Sequence, residues 1–94
     1  MRDPGPRFLR SFRARRRRND QGVLLICGNS FFRVGAFEDD LWRACADPLT
    51  SLEIAHRLAP RFPRFTHDEL SALVRATCER MVGDGLLAVT EAPR

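Results

Sequence analysis

The chain has no lysine, few cysteines and no long apolar segment. Its three cysteines, Cys27, Cys45 and Cys78, are widely spaced and form no Cys-x-x-Cys pair. A disulfide framework or a zinc site needs paired spacings, so we expect reduced cysteines that act as small apolar side chains. No apolar run approaches the ~20 residues of a membrane span, and no apolar core of a signal peptide follows the arginine-rich start. These absences predict a cytoplasmic protein without a membrane partner.

Motifs for catalysis and for cofactor binding are missing as well. The serines lack a Gly-x-Ser-x-Gly context, and the glycines follow no phosphate-cradling pattern. His56 and His67 have no cysteine or carboxylate set at metal-ligand spacing beside them. No nucleophile, base and orienting group can be assembled, so we expect a protein that is not an enzyme and uses no cofactor or metal.

Positive charge is concentrated at the start of the chain. Residues 1–19 hold eight arginines and one acidic residue, whereas residues 20–94 hold eight arginines and eleven acidic residues. The basic run is either a docking surface for an acidic peptide, an acidic partner enzyme or nucleic acid, or it is a solvated strand end and turn. The residues of this candidate basic surface are Arg13, Arg15, Arg16, Arg17 and Arg18.

The first third of the chain is typical of β-strands. From Arg7, apolar residues including Phe8 and Phe12 alternate with polar ones, which predicts one half-buried strand that the arginine run continues. Two short apolar runs follow, at Val23–Cys27 and Ser30–Val34. Gly28-Asn29 joins them and predicts a tight hairpin, since both residues tolerate positive φ.

Three helices are predicted after Gly35. Apolar spacings of three and four over residues 36–46 indicate the first helix, and Asp47-Pro48 ends it. Thr50-x-x-Glu53 and Thr66-x-x-Glu69 are capping boxes that open the second and third helices. On the third helix, Leu70, Leu73 and Thr77 share one face at spacings of three and four, and we expect Val74, Cys78 and Met81 on the core face. Trp42 is expected in the core of the first helix, and Leu86–Val89 as a short terminal strand or wing.

The predicted fold is α+β and winged-helix-like, with three N-terminal strands that include the hairpin, followed by three helices. A chain of 94 residues suits one domain. We place this domain at residues 7–90, after a flexible start at 1–6 and before a tail at 91–94.

Four ordered segments resemble the PqqD-like peptide chaperones. These are also called RiPP recognition elements, where a RiPP is a ribosomally made, post-translationally modified peptide. The segments are Phe32-Arg33-Val34 at the end of the hairpin, Ala36 with Leu41-Trp42, the pattern DP-x-T-x-x-E-I-A-x-x-L from Asp47 to Leu58, and Gly85-Leu86-Leu87. The resemblance covers roughly residues 7–89.

The resemblance implies a non-catalytic adaptor that presents a precursor peptide to a modifying enzyme. The leader segment of the peptide would add as an antiparallel strand to the third strand and lie in a groove against the third helix. Strand alternation turns Phe32 and Val34 to one face and Phe31 and Arg33 to the other. The implied peptide-binding residues are Ser30, Phe31, Phe32, Arg33, Val34, Leu70, Leu73 and Thr77, with a charged rim of Asp68, Arg75 and Arg80.

The exposed edge of the third strand also has consequences for the oligomeric state and for a first test of peptide binding. An open edge permits either a monomer or an edge-paired homodimer. A proline at Phe32 would remove a main-chain donor from the peptide site if that amide faces the edge.

The alternative function is that of a winged-helix nucleic-acid binder that uses the arginine-rich segment. Against it, Asp68, Glu69 and Glu79 offset the two arginines of the third helix, and that helix has no Asn or Gln to read adenine. Nucleic acid is therefore not the expected partner.

Overall fold

The computed structural model describes residues 5–90 as an α+β domain with three helices. The predicted tail at 91–94 and residues 1–4 of the predicted flexible start lie outside the described residues. The elements are β1 (Arg7–Arg10), β2 (Ala14–Asn19), β3 (Gly22–Cys27), β4 (Ser30–Val34), α1 (Ala36–Ala44), α2 (Ser51–Leu58), a single 3₁₀ turn (Ala59–Arg61), α3 (His67–Gly83) and β5 (Leu87–Thr90).

The strands β2, β3 and β4 form an antiparallel sheet in that order. The register pairs Cys27 with Ser30 across the turn between β3 and β4. Gly28 has φ +60°, which is the left-handed conformation that the first central position of a type II′ turn requires. The predicted tight hairpin at Gly28-Asn29 is therefore confirmed.

The prediction of one continuous strand from Arg7 through the arginine run is wrong. The chain turns after β1, where the N–H of Arg13 donates to Oγ of Ser11 at 3.2 Å and the N–H of Ala14 donates to the Ser11 carbonyl at 3.0 Å. Serine favours such turns because its hydroxyl competes for nearby backbone groups. Phe12 is consequently 93% exposed instead of half-buried. Four strands, not three, precede the helices.

A second sheet has two strands, β1 and β5. They pair antiparallel from Arg7 opposite Thr90 to Arg10 opposite Leu87. The segment predicted as a terminal strand or wing is therefore β5, which pairs with β1 near the start of the described residues. Phe8 of β1 also exchanges two main-chain hydrogen bonds with Leu49, at 2.7 and 3.0 Å, which fixes β1 beside the start of α2.

Helices α2 and α3 begin where a threonine side chain accepts a hydrogen bond from a backbone N–H of the first turn. At α2, Oγ1 of Thr50 accepts from the N–H of Glu53 at 3.2 Å, and Glu53 accepts from the N–H of Thr50 at 2.9 Å. Thr66 and Glu69 repeat this arrangement at α3, at 3.1 and 2.8 Å, so both predicted capping boxes are confirmed. Within residues 5–90, no helix combines the length and apolar character needed to cross a membrane.

Trp42 is buried at the centre of the core, as predicted. Its indole Nε1 donates to the carbonyl of Leu86 at 3.0 Å, which joins α1 to the chain just before β5. The guanidinium of Arg10 lies 4.5 Å from the centre of the ring and donates to the carbonyls of Trp42 and Arg43 at 3.2 and 2.8 Å. The Trp42 side chain therefore joins α1 to Arg10 of β1 and to the residue that precedes β5.

All three cysteines are free, as expected from their spacing. Cys45 and Cys78 are completely buried, and this burial raises the pKa of each thiol to about 12. Both side chains remain protonated at neutral pH and act as small apolar groups.

Candidate functional site: the free strand edge and the adjoining cleft

The two faces of the β2–β3–β4 sheet differ in environment. Phe32 and Val34 pack against the core beneath the sheet, whereas Phe31 and Arg33 are exposed on the outer face. This is the alternation that the sequence predicts. Phe32 lies opposite Leu25, which is completely buried, so the inner face of β4 belongs to the core and its outer face does not.

The backbone of β4 has an open side. β3 pairs with one edge of β4, and no strand within residues 5–90 pairs with the other. The two-residue turn makes Cys27 and Ser30 a hydrogen-bonded pair, and such pairs alternate along an antiparallel ladder. Phe32 therefore points its main-chain groups towards β3, while Phe31 and Arg33 point theirs towards the open edge.

This register corrects the position proposed for a proline test. A proline at Phe32 tests peptide binding only if the Phe32 amide faces the open edge. The amide that faces the edge in this part of β4 is that of Arg33. A proline at Phe32 would instead remove a bond within the sheet.

The opposite edge of the sheet, β2, is protected by charge. Four consecutive arginines occupy residues 15–18 of this strand, and repulsion between like charges discourages a second strand from pairing there. β4 carries a single arginine, Arg33, among five residues. The sheet thus has one edge that is protected by charge, at β2, and one open edge, at β4.

A cleft of about 660 Å³ opens at the end of β4. It lies between the beginning of α1, the loop after the 3₁₀ turn and one side of α3. Phe37 and Phe62 pack edge to face in its lining, with ring centres 5.3 Å apart. The lining residues are Gly35, Ala36, Phe37, Glu38, Arg61, Phe62, Pro63, Arg64, Phe65, Leu73, Thr77 and Arg80.

Two of the three predicted groove residues on α3 line this cleft. Leu73 is 37% exposed there, and Thr77 lines the cleft although most of its surface is buried. The prediction is wrong for Leu70, which is only 2% exposed and belongs to the core. Leu70 precedes Val74 by four residues and so shares the face that carries the predicted core residues Val74, Cys78 and Met81, all of which are buried.

The predicted charged rim is only partly at the cleft. Arg80 lines it and forms an ion pair with Glu38 at the beginning of α1. Asp68 and Arg75 are exposed elsewhere on α3 and do not line it. Arg61, also at the cleft, forms an ion pair with Asp40 at 3.1 Å, whereas Arg64 has no ion pair within residues 5–90.

Sequence reasoning missed the aromatic wall of the cleft. Phe62 and Phe65 come from the segment Arg-Phe-Pro-Arg-Phe between α2 and α3. Two aromatic residues in a short arginine- and proline-containing connection have no helical or strand periodicity to place them in a core. Their presence in such a connection was the feature of the sequence that could have indicated a binding surface.

The predicted basic surface is divided between two sides of the sheet. Arg15 and Arg17 face outward with Leu24 and Ile26, their cross-strand partners. Arg16 and Arg18 face inward, and Arg16 makes two hydrogen bonds to Asp39 of α1, at 2.7 and 2.9 Å. The four consecutive arginines 15–18 therefore do not lie on one side of the sheet.

The ion pair between Arg16 and Asp39 fixes the sheet to α1 beside the cleft. Hydrogen bonds from the Arg16 guanidinium are the main cause that holds the pKa of Asp39 below its usual range, with Arg43 and Arg18 adding to the effect. Glu53 also has a lowered pKa, mainly because it accepts a hydrogen bond from the Thr50 backbone. Both carboxylates therefore stabilise the fold in their charged form.

We expect acid to destabilise the protein partly through Asp39. Below about pH 4 the unfolded chain binds protons more tightly than the folded one, so the free energy of unfolding falls as pH falls. Chemical denaturation at a series of pH values should give a shallower acid slope for Asp39→Asn. Asp20→Asn, in the exposed turn before β3, should keep the wild-type slope. Equal slopes for wild type and Asp39→Asn would show that the ion pair contributes nothing.

Another surface depression brings together His56 and His67. It has a volume of about 440 Å³ and is also lined by Leu49, Leu52, Glu53 and Arg57. Within residues 5–90, no three His, Cys, Asp or Glu side chains are grouped closely enough to hold a metal ion.

Comparison of the chain with protein-family models, with curated proteins and with solved structures gives no match. Its function is therefore inferred from the geometry of the strand edge and the cleft.

Proposed function

We propose that the protein is a non-catalytic adaptor that binds an extended peptide along β4 and presents it to a modifying enzyme. The observation that carries this proposal is the open β4 edge, together with the cleft that begins at Gly35, directly after β4, and is lined by one side of α3. A bound strand would continue the β2–β3–β4 sheet, and its side chains would reach the aromatic wall. The peptide proposed is the leader segment of a ribosomally made precursor peptide.

Binding would combine main-chain and side-chain recognition. The outward N–H and C=O groups of Phe31 and Arg33 would pair with the peptide backbone, which supplies affinity without reading sequence. Alternate side chains of the peptide would point into the cleft, where Phe37, Phe62 and Leu73 offer apolar contacts. Selectivity for the leader segment would come from this second set of contacts.

The charge around the cleft favours a peptide with acidic residues. Arg61, Arg64 and Arg80 stand at its border, and Arg64 has no carboxylate partner within residues 5–90. Exposed ion pairs of this kind contribute about 0.2–1 kcal/mol each. We therefore expect them to tune affinity and to make it moderately sensitive to salt, while the β4 edge and the apolar wall dominate.

The resemblance of four segments to PqqD-like peptide chaperones supports the same function. It extends the proposal to a winged-helix-like arrangement, to a cytoplasmic location, and to two partners, the precursor peptide and its modifying enzyme. The free protein would be a monomer or a homodimer paired through β4. In a dimer of that kind the peptide and the second copy would compete for the same edge.

The cleft is tested by a matched pair of leucine substitutions. Leu73 lines the cleft, whereas Leu52 on α2 is 46% exposed and lies outside it. We expect Leu73→Asn to weaken binding of the leader peptide about tenfold, which corresponds to ~1.4 kcal/mol of lost apolar contact. Leu52→Asn should bind like wild type. Fluorescence anisotropy with a labelled leader peptide, encoded beside the gene of this protein, measures both.

Equal affinities of Leu73→Asn and Leu52→Asn for the leader peptide would show that the peptide does not bind in the cleft.

A duplex oligonucleotide in the same assay tests the alternative function, nucleic-acid binding. Residues exposed on α3 include Asp68, Glu69 and Glu79 as well as Arg75 and Arg80, so this helix has no cationic surface for a phosphate backbone. Tight, salt-dependent duplex binding without peptide binding would overturn the adaptor proposal.

A further inference from the structure

The outer face of the β2–β3–β4 sheet is a second surface, separate from the cleft. Its centre is apolar and consists of Leu24 and Ile26 on β3 and Phe31 on β4, with Phe31 65% exposed. Arg15 and Arg17 stand on one side of this centre, on β2, and Arg33 stands on the other side, on β4. The face is thus an apolar stripe between two cationic borders.

The turn between β1 and β2 extends this surface. Phe12 and Arg13 project from the turn, and the Arg13 guanidinium lies 5.8 Å from the centre of the Phe12 ring. Together with Arg15, Ile26 and Gly28 they line a depression of about 420 Å³. Phe12 therefore borders the apolar stripe that contains Phe31, and these two are the most exposed aromatic side chains within residues 5–90.

The arginines of this surface have no acidic partners of their own. The strands β2, β3 and β4 contain five arginines and no acidic residue. Within residues 5–90, Arg13, Arg15 and Arg17 form no ion pair, and Arg33 makes one hydrogen bond, to Gln21 at 3.3 Å. Arg7 and Arg16, in contrast, are paired with Glu53 and Asp39. The charge on the outer face is therefore left for a partner to neutralise.

We propose that this face docks an acidic amphipathic helix of a partner protein. Neighbouring strands lie about 4.8 Å apart, so β2 and β4 are separated by roughly 10 Å. That separation matches the ~10–12 Å diameter of an α-helix with its side chains. A helix lying along β3 would set its apolar stripe on Leu24, Ile26 and Phe31, and carboxylates on both of its flanks would reach the arginines.

The composition of the stripe favours a helix over single-stranded nucleic acid. Binding platforms for single strands stack bases on flat rings, but two of the three side chains at the centre of this face are aliphatic. An apolar centre with a polar rim, in which arginine is enriched, is the usual arrangement of a protein–protein contact. The proposal is independent of peptide binding, because it uses the side chains of β4 and the peptide site uses the backbone edge.

Binding of a synthetic probe tests this surface. The probe is a fluorescein-labelled helical peptide of roughly 18 leucine and glutamate residues, with leucine at helical spacing. A scrambled peptide of the same composition keeps the charge and loses the apolar stripe. A single-stranded oligothymidylate is measured in parallel. The variants are Arg15→Glu/Arg17→Glu, Phe31→Ser, and the charge-matched control Arg57→Glu/Arg75→Glu, which changes exposed arginines on α2 and α3.

The helical probe should bind saturably, and the scrambled peptide should bind at least about tenfold more weakly. Arg15→Glu/Arg17→Glu and Phe31→Ser should each weaken the helical probe by a similar factor, while the control pair leaves it near wild type. Loss of probe binding in Arg15→Glu/Arg17→Glu with unchanged leader-peptide binding would separate the two surfaces, because both arginines lie on β2, away from the β4 edge and the cleft. Equal binding of the scrambled peptide, no binding of the helical probe, or preferential binding of the oligothymidylate through Arg15 and Arg17 would each overturn the proposal.

Discussion

Replacing Trp42 with alanine should lower the free energy of unfolding by about 3–5 kcal/mol. The substitution removes the largest side chain of the core and leaves the carbonyl of Leu86 without its indole donor. It also removes the ring on which the Arg10 guanidinium lies. Since domains of this size are stable by only about 5–15 kcal/mol, this loss is a large fraction of the total stability.

Urea denaturation followed by far-ultraviolet circular dichroism measures this loss. Phe12→Ala is the matched control, because it truncates an aromatic side chain that is almost fully exposed. We expect it to change the free energy of unfolding by less than about 0.5 kcal/mol. A similar small effect for Trp42→Ala would show that α1 is not anchored through this residue.

Arg33→Pro should weaken leader-peptide binding by about 5- to 150-fold. Proline removes the N–H that faces the open edge and leaves a carbonyl of the bound peptide without a donor, which costs about 1–3 kcal/mol. The bonds between β3 and β4 are kept, because the Arg33 amide takes no part in them by the register of the hairpin. An edge strand tolerates proline at such a position.

Arg33→Ala separates the backbone from the side chain. It removes the guanidinium and keeps the N–H group, so its affinity should stay within about threefold of wild type. Thermal unfolding of both variants checks that the fold is intact. If Arg33→Ala lost as much affinity as Arg33→Pro, the guanidinium and not the strand edge would be the source of binding.

Local sequence signals predicted the parts of the fold that depend on a few neighbouring residues. Both capping boxes, at Thr50 and Thr66, need only a hydroxyl and a glutamate three residues apart. The type II′ turn at Gly28 depends on one residue that accepts positive φ. Helical spacing places Val74, Cys78 and Met81 on one face of α3, and these features were all predicted correctly.

The features that depend on distant parts of the chain could not be predicted in the same way. β1 pairs with β5 from the other end of the domain, and no local pattern at Arg7–Arg10 shows that partner. The alternation of Phe8 and Phe12 fits one strand as well as it fits a strand followed by a turn. Only the Ser11 hydrogen bonds and the partner strand distinguish the two.

The candidate site divides along the same line. The resemblance to PqqD-like chaperones selected the strand and α3, and alternation and helical spacing assigned Phe31, Leu73 and Thr77 to their faces. Leu70 was assigned to the wrong face of α3. Successive residues of a helix are about 100° apart, so spacing alone does not fix the boundary between two faces. Packing against α2 determines which side of α3 is buried. The aromatic wall at Phe62 and Phe65 comes from a connection without periodicity, so only its position in the fold reveals it.

Amide hydrogen exchange of β4 by nuclear magnetic resonance tests the strand-addition proposal most directly. In the free protein, the Phe32 and Val34 amides should be protected by β3, while those of Phe31 and Arg33 should exchange rapidly. Saturation with the leader peptide should slow exchange at Phe31 and Arg33 by at least about tenfold. Peptide binding that leaves both amides in rapid exchange would contradict strand addition at β4.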